Sequence, residues 1–234
     1  MLIFLAGFAL FFTFRDRDAL FLIAIAIAVV ASLGTESIIL YFKNKVFEWT
    51  ESSIITGLII GFVLSSDELW WKIALASVLA IFSKYLIRFQ KKHVFNPAAF
   101  GIFLTLIIFN ASTQWRGTYL WYILVPCGLY FAYKFRKIEI LAGYGTVFLV
   151  LFGIHAVLYK VPVMNIFGYL SLFYLFIMVI EPKTTPVSSK GKFIFGAFVS
   201  GLVFILTELG VGFDVELLSL LVLNMSVPVL NRFQ

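Results

Sequence analysis

The stretch His93–Gly101 joins two apolar segments and holds the residue pair with the clearest chemical meaning in the chain. Asn96 suits a helix N-cap, because its side chain accepts hydrogen bonds from the backbone N–H groups of a first turn. Pro97 suits the first helical position, since it fixes φ and has no N–H to donate. The pair predicts a helix start at a membrane face, whose positive dipole end can hold an anionic or polar ligand. The alternative is an ordinary helix start without a ligand.

A second break in the apolar pattern, Glu181–Lys192, favours the ligand-binding interpretation. The third apolar segment also opens on polar residues, in the stretch Glu51–Gly57 that contains Thr56. Short or interrupted segments mark binding sites in many transporters. We therefore expect Asn96 and the loop 184–189 to face one another at the cytoplasmic mouth of a site, with Thr56 contributing.

Glu36 is the most informative ionisable residue within an apolar segment. Such residues are costly in a membrane and mark many ion pathways, so Glu36 is a candidate for proton relay or cation binding. Two alternatives stay open: a neutral, hydrogen-bonded carboxyl, or an interfacial position because the segment ends near Gly34. His93 is expected to be solvated, and His155 to serve in helix packing rather than metal binding. We expect the remaining external acids to be solvated loop charges; they are Glu208, Asp214 and Glu216.

Self-contained catalytic motifs are absent from the sequence. It has no Ser/His/Asp pattern, no phosphate-binding Gly-rich loop and no Cys-x-x-Cys pair, and its two histidines give no metal-ligand signature. The single cysteine, Cys127, excludes an intramolecular disulfide. Redox chemistry would therefore have to come from a bound cofactor.

Composition places these residues in a membrane protein. The chain is 62% hydrophobic and 13% charged, with a mean hydropathy of +1.03, whereas soluble domains are roughly 45–50% apolar and about 25% charged. A net charge of +6 could suggest nucleic-acid binding, but the basic residues are divided among short loops. We predict an all-α polytopic membrane protein that binds no nucleic acid.

Hydropathy divides the chain into ten apolar segments that must position the candidate residues. They span residues 2–14, 19–42, 54–65, 70–87, 98–110, 119–133, 138–159, 166–180, 193–207 and 217–231. About 20 residues cross a bilayer core, so the first, third and fifth segments are too short to cross unaided. The first segment lacks the basic start of a signal peptide, and we expect it to be part of the fold. Gly34 is a candidate bend in the second segment.

The distribution of Lys and Arg supports ten spans. If every segment crosses, thirteen basic residues lie on one side, namely Lys43, Lys45, Lys84, Arg88, Lys91, Lys92, Lys134, Arg136, Lys137, Lys183, Lys190, Lys192 and Arg232. Five lie on the other, namely Arg15, Arg17, Lys72, Arg116 and Lys160. Basic loops stay in the cytoplasm, so both termini are predicted to be cytoplasmic in a multi-pass protein of the cytoplasmic (inner) membrane.

Four motifs in order resemble one family of membrane proteins. They are Ser53–Gly61, Lys91–Gly101, Ile177–Lys192 with Ile194–Gly196, and Leu223–Leu230. The sequence is similar to the NqrB/RnfD family, which comprises one membrane component of the sodium-pumping NADH:quinone reductase (NqrB) and one of the Rnf electron transport complex (RnfD). The resemblance implies a fold like urea and ammonium channels, with ten helices in two inverted five-helix halves. We expect one membrane domain, 1–234, with pseudo-repeats of about 1–115 and 116–234.

The resemblance also implies flavin chemistry. The family carries FMN esterified to a threonine in a Ser-Gly-Ala-Thr sequence, but the matching loop here, Asn110–Thr118, lacks that sequence. Glu181-Pro182 also stands where the family has Asp-Pro. We therefore expect no covalent FMN, and riboflavin or FMN held non-covalently if at all. The cofactor-binding candidates are Ser53, Thr56, Gly57, Asn96, Pro97, Thr185 and Pro186.

The resulting functional hypothesis is a membrane subunit of an Rnf-like or NADH:quinone-reductase-like complex that couples electron transfer through flavin to ion transport. Such a chain is part of a redox-driven ion translocase rather than an enzyme alone. Its expected partners are the lipid bilayer, other membrane subunits and flavinylated extracytoplasmic proteins. Two alternatives stay open: a stand-alone channel or carrier for a small solute, and a structural anchor for flavinylated redox partners.

Overall fold

The computed structural model describes residues 1–45, 47–90 and 92–232, so Lys91, one of the basic residues predicted to be cytoplasmic, lies outside the described residues. The chain forms two compact units, Met1–Gly117 (unit 1) and Thr118–Gln234 (unit 2). Three described helices are long and apolar enough to cross a membrane, and they are Ala19–Asn44, Ile138–Leu158 and Ser189–Glu208. Shorter apolar helices are Glu51–Val63, Pro97–Phe109 and Val215–Leu230. These elements confirm the prediction of an all-α membrane protein at that level.

Within its described residues, unit 1 contains five helices and a short hairpin. The helices are α1 (Leu2–Asp16), α2 (Ala19–Asn44), α3 (Glu51–Val63), α4 (Trp70–Leu86) and α5 (Pro97–Phe109). Strands β1 (Arg88–Phe89) and β2 (Lys92–His93) pair antiparallel between α4 and α5. Each helix matches a predicted apolar segment, and the hairpin was not predicted.

Helices α3 and α5 begin at the same end of unit 1. The two helices pack against each other. The chain just after each helix also pairs, because Leu64 and Thr113 form a β-bridge and Gln114 N–H donates to Val63 O at 2.8 Å. Neighbouring helices whose C-terminal ends meet run in the same direction. The polar starts Thr50–Ser53 and Asn96–Pro97 therefore lie at one end of the unit.

Close backbone packing explains Gly57. A Cβ at this position would lie 2.6 Å from Val29 Cα and 2.8 Å from Ala28 O of α2. Only glycine allows α3 to approach α2 so closely, as in other membrane helix pairs. Gly101 is similarly pressed against Ala76 of α4. The observed role of Gly57 is therefore helix packing.

Unit 2 contains α6 (Trp121–Lys134), α7 (Ile138–Leu158), a 3₁₀ helix (Val163–Tyr169), a π-helix (Tyr174–Val179), α8 (Ser189–Glu208) and α9 (Val215–Leu230). The predicted single segment 166–180 is divided between the 3₁₀ and π-helices. All six π-helical residues are buried, and Phe176 lies directly against Gly128 of α6. Packing on every side thus determines the backbone here, which hydropathy cannot reveal. The inverted relation of the halves stays a prediction.

Candidate functional site

The buried polar centre of unit 1 is the Glu36 cluster, formed by Glu36, Thr50, Lys84 and Tyr85. Helix α2 continues through Gly34 to Asn44, as the predicted segment 19–42 requires, and the alternative that it ends near Gly34 is ruled out. Glu36 consequently lies inside the helix bundle, with only 2% of its surface exposed. Two other elements reach its carboxylate, namely the end of α4 and the start of α3.

Every carboxylate oxygen of Glu36 has a donor. Lys84 Nζ and Tyr85 Oη each donate to Oε1 at 2.6 Å, and Thr50 Oγ1 donates to Oε2 at 2.5 Å. A buried acid is stable in an apolar bundle when a cation and hydrogen bonds compensate it. The lysine partner favours the charged carboxylate over the neutral-carboxyl alternative. Whether Glu36 also serves an ion pathway stays a prediction.

Thr50 joins this cluster to the start of α3. Its Oγ1 accepts the Ser53 N–H at 3.3 Å as the N-cap, while its own proton goes to Glu36. The two predicted binding residues behind it are occupied locally, because Ser53 Oγ donates to Thr50 O and Thr56 Oγ1 donates to Ser52 O, both at 2.8 Å. Their hydroxyl oxygens therefore remain available to a ligand as acceptors rather than donors.

The start of α5 has the predicted capping geometry. Asn96 Oδ1 accepts the Ala99 N–H at 3.0 Å, and Pro97 occupies the first turn. Asn96 is 2% exposed, so this helix start is buried. His93 is also buried in the hairpin, opposite Arg88, which contradicts its expected solvation. Asn96 and Thr50 lie at the same end of unit 1, so two helix starts and the Glu36 cluster share that end.

In unit 2, the loop that contains Thr185 and Pro186 is held by flanking helices. Thr185 Oγ1 donates to Glu181 O at 2.7 Å, and Lys137 Nζ donates to Pro186 O at 2.9 Å. Asn224 of α9, wholly buried, donates through Nδ2 to Thr184 O at 3.1 Å. The loop is thus a fixed polar feature of unit 2. Whether it faces Asn96 stays a prediction.

Two expected loop charges of unit 2 have structural partners. Glu208 Oε1 lies 2.8 Å from Nδ1 of His155, so these residues form a pair between α8 and α7. Glu216 Oε1 accepts the Ser171 N–H at 3.3 Å. Glu208 is solvent-exposed as expected, although it also has a partner, whereas Glu216 is half-buried rather than simply solvated. Their partners lie 53 and 45 residues away in sequence, and no local pattern signals them.

The opposite end of unit 1 is closed by ionic contacts between loops. Asp18, the N-cap of α2, pairs with Arg116 at 2.6 Å. Glu68 accepts hydrogen bonds from the Ser112 N–H and hydroxyl and from Lys72. Burial of the Glu68 carboxyl disfavours its charge, but the bonds from Lys72 and Ser112 prevail and hold its pKa below the usual value.

Comparison with known protein families identifies the family of this chain. The model of the NQR2, RnfD, RnfE family matches residues 1–124 and again residues 117–234, and together these matches cover the whole chain. The chain belongs to this family. The family membership predicted from the four sequence motifs is thus confirmed.

Curated relatives are named as the D component of an ion-translocating oxidoreductase complex. The protein from Escherichia fergusonii is 30% identical over 103 residues, which is 42% of this chain and 29% of that relative. The Erwinia tasmaniensis protein is 32% identical over 99 residues, or 40% and 28% of the two chains. The Tolumonas auensis protein is 36% identical over 58 residues, or 25% and 17%. The chain thus matches less than a third of the length of these relatives.

Proposed function

We propose that this protein is an integral membrane subunit of an Rnf-like ion-translocating oxidoreductase complex. The observation that carries the proposal is the family match across the whole chain. The names of the relatives support electron transport coupled to ion translocation, with other membrane subunits as partners. The location would be the cytoplasmic membrane with both termini in the cytoplasm, and flavinylated extracytoplasmic proteins would exchange electrons with the complex.

The Glu36 cluster supports an ion-coupling role in unit 1. A carboxylate and an ammonium 2.6 Å apart inside a membrane bundle are expensive to maintain, and such groups commonly mark ion or proton routes. Tyr85 and Thr50 add hydroxyl groups on the same carboxylate. In this proposal, Glu36 exchanges Lys84 for a translocated ion or proton when the complex turns over.

Flavin binding is the finer part of the proposal. The candidates that would hold non-covalent riboflavin or FMN in unit 1 are Ser53, Thr56, Gly57, Asn96 and Pro97, and those in unit 2 are Thr185 and Pro186. The hydroxyls of Ser53, Thr56 and Thr185 already donate to backbone carbonyls, so they fit a flavin only as acceptors, as for its ring N–H group. When bound, the flavin would supply one- and two-electron transfer.

Purified protein tests the flavin proposal. Acid precipitation followed by chromatography of the supernatant should release flavin in a fixed ratio to protein, because the cofactor is held non-covalently. A denaturing gel should show no fluorescent band, since the loop Asn110–Thr118 lacks the Ser-Gly-Ala-Thr sequence. A band that disappears in the Thr113→Ala variant would overturn the non-covalent assignment. Protein without flavin in either fraction would favour the solute-channel or anchor alternatives.

A further inference from the structure

An apolar groove of about 460 Å³ runs along the outward face of α8 in unit 2. Three helices line this α8 groove, with Ala197, Phe198, Gly201 and Ile205 from α8, Val147 from α7 and Leu223 from α9. Gly201 forms the floor, because a Cβ at this position would meet only Val147 Cγ1, at 3.9 Å. Gly196 differs, since a Cβ there would collide with the backbone of Ile140 in α7. Close helix packing therefore explains Gly196 but not Gly201.

Lys190 lies on the same face of α8 as the groove, in the first turn of the helix. Residues 190, 194, 197, 201 and 205 are spaced by three or four, so they share one helix face. At a rise of 1.5 Å per residue, the groove floor at Gly201 lies about 16 Å along the helix from Lys190. Lys190 is exposed and has no hydrogen bond or ion pair among the described residues. The nearby acid Glu139 is already paired with Lys192, at 3.7 Å.

The end of α9 brings a second cation to this end of unit 2. Asn231 Oδ1 accepts the Val187 N–H at 2.8 Å, so the end of α9 is attached to the loop that precedes α8. Arg232 follows Asn231 directly and is exposed, and it has no acid partner among the described residues. Two positive charges without a carboxylate partner in the described part of the chain therefore lie at the end of unit 2 where α8 begins.

An anionic phospholipid has the chemistry that fits both the groove and the cations. One leaflet of a bilayer core about 30 Å thick is roughly 15 Å deep, which matches the distance from Lys190 to the groove floor. Phosphate oxygens accept charge-assisted hydrogen bonds from Lys and Arg. Basic sites beside transmembrane helices on the cytoplasmic side commonly bind anionic head groups, and Lys190 and Arg232 are predicted to lie on that side.

A transmembrane helix of another subunit fits these features less well. Such a helix is about 10–12 Å wide with its side chains, whereas the groove extends only about 12 Å along α8, from Ala197 to Ile205. An apolar helix would also leave Lys190 and Arg232 without a counter-charge. We propose that the α8 groove, Lys190 and Arg232 form a binding site for one anionic phospholipid. This site goes beyond the oxidoreductase assignment, because lipid binding requires neither flavin nor redox partners.

Native mass spectrometry of the detergent-purified chain tests the site by counting bound lipid molecules. The chain is titrated with dioleoyl phosphatidylglycerol, with phosphatidylcholine of the same acyl chains, and with glycerol 3-phosphate, which carries the phosphate without the chains. We expect one tightly bound phosphatidylglycerol, weaker binding of phosphatidylcholine and no binding of glycerol 3-phosphate. The affinity for phosphatidylglycerol should fall about fivefold in Lys190→Gln and about 25-fold in Lys190→Gln/Arg232→Gln. Gly201→Leu should abolish tight binding, because its side chain occupies the groove.

Two variants are matched controls within unit 2. Gly153→Leu makes the same change on α7, where an added Cβ would meet nothing within 4 Å. Lys160→Gln removes an exposed cation that follows the C-terminal end of α7, and the pair of His155 with Glu208 shows that this is the opposite end of unit 2 from Lys190. Both controls should bind phosphatidylglycerol as tightly as the wild type does.

Equal affinity for phosphatidylglycerol and phosphatidylcholine would overturn the proposal. So would a Gly201→Leu variant that binds like Gly153→Leu, or a Lys190→Gln variant that binds like Lys160→Gln. If Gly201→Leu keeps its lipid but loses a membrane protein that otherwise co-purifies from native membranes, the groove is a protein interface and the lipid assignment is wrong. Glycerol 3-phosphate that binds as tightly as phosphatidylglycerol would assign the cations to a soluble phosphate instead.

Discussion

Replacing Lys84 with Met tests whether unit 1 depends on the buried charge pair. Met keeps an apolar stem of similar length but removes the ammonium group whose Nζ lies 2.6 Å from Glu36 Oε1. The side chains of Lys84 and Glu36 are only 10% and 2% exposed, so water cannot replace the lost partner. Removing one member of a buried pair leaves an uncompensated charge, at a cost of about 3–5 kcal/mol.

The assay is thermal melting in a mild detergent, followed by tryptophan fluorescence. For a chain of this size, 1 kcal/mol corresponds to roughly 2–4 °C in Tm, so Lys84→Met should melt roughly 6–20 °C below the wild type. The double variant Glu36→Leu/Lys84→Met should recover most of this loss, because an apolar pair of similar volume replaces a buried ion pair at little cost. Thr50 would still cap α3 in that variant.

Lys72→Met is the control, since it makes the same change in the same helix. Lys72 pairs with Glu68 one turn away in a local i,i+4 contact, and the hydrogen bonds from Ser112 to Glu68 are exposed to solvent, so water can replace the lost lysine. The expected loss is at most about 1 kcal/mol, or roughly 2–4 °C. If Lys84→Met melts no lower than Lys72→Met, the pair does not stabilise unit 1 and the reasoning above is refuted.

Three further predictions address the helix starts, the topology and the loops. Asn96→Ala should lower the free energy of unfolding by only about 1 kcal/mol, because a helix cap is lost, and should leave expression unchanged. The flavin:protein ratio should nevertheless fall strongly, and Thr56→Ala should behave in the same way. A normal flavin:protein ratio in both variants would mean that these positions are only helix starts. A reporter active only in the periplasm should give no signal when fused to the C-terminus, and a strong signal would contradict the ten-span topology. Because the folded-state pKa of Glu68 is lowered, its stabilising contribution is complete above its unfolded pKa and is lost as pH falls through the folded value. Tm should therefore fall on acidification below pH of about 4.5, with a smaller fall in Glu68→Gln; identical acid profiles would contradict the assigned role.

Local sequence signals predicted most helices and the Asn96 cap. Hydropathy located α3 and α8 but placed their starts at residues 54 and 193, whereas they begin at Glu51 and Ser189. The difference arises because each first turn is polar and is set by a capping side chain. Thr50 accepts the Ser53 N–H, and Ser188 accepts the Gly191 N–H at 3.1 Å. Capping residues therefore define these boundaries better than hydropathy does.

The partners of the buried acids could not be predicted. Glu36 is unusual by sequence alone, but Lys84 lies 48 residues away and counts there only as one of the thirteen basic residues on the predicted cytoplasmic side. Glu216 is expected to be a solvated loop charge because it lies with Glu208 and Asp214 between two apolar segments. In both cases, the environment depends on which distant element packs against the side chain. The division of segment 166–180 into 3₁₀ and π-helices has the same origin, since burial on all sides leaves no periodic signal.

Purification of the tagged chain from native membranes in mild detergent tests its proposed role most directly. Mass spectrometry of the eluted material identifies and quantifies the proteins that accompany it. The proposed function predicts that electron-transfer subunits elute with the chain in a fixed ratio and that visible absorption reports redox cofactors in the complex. A chain that elutes alone, without redox partners or visible absorption, would contradict its assignment as a subunit of an ion-translocating oxidoreductase.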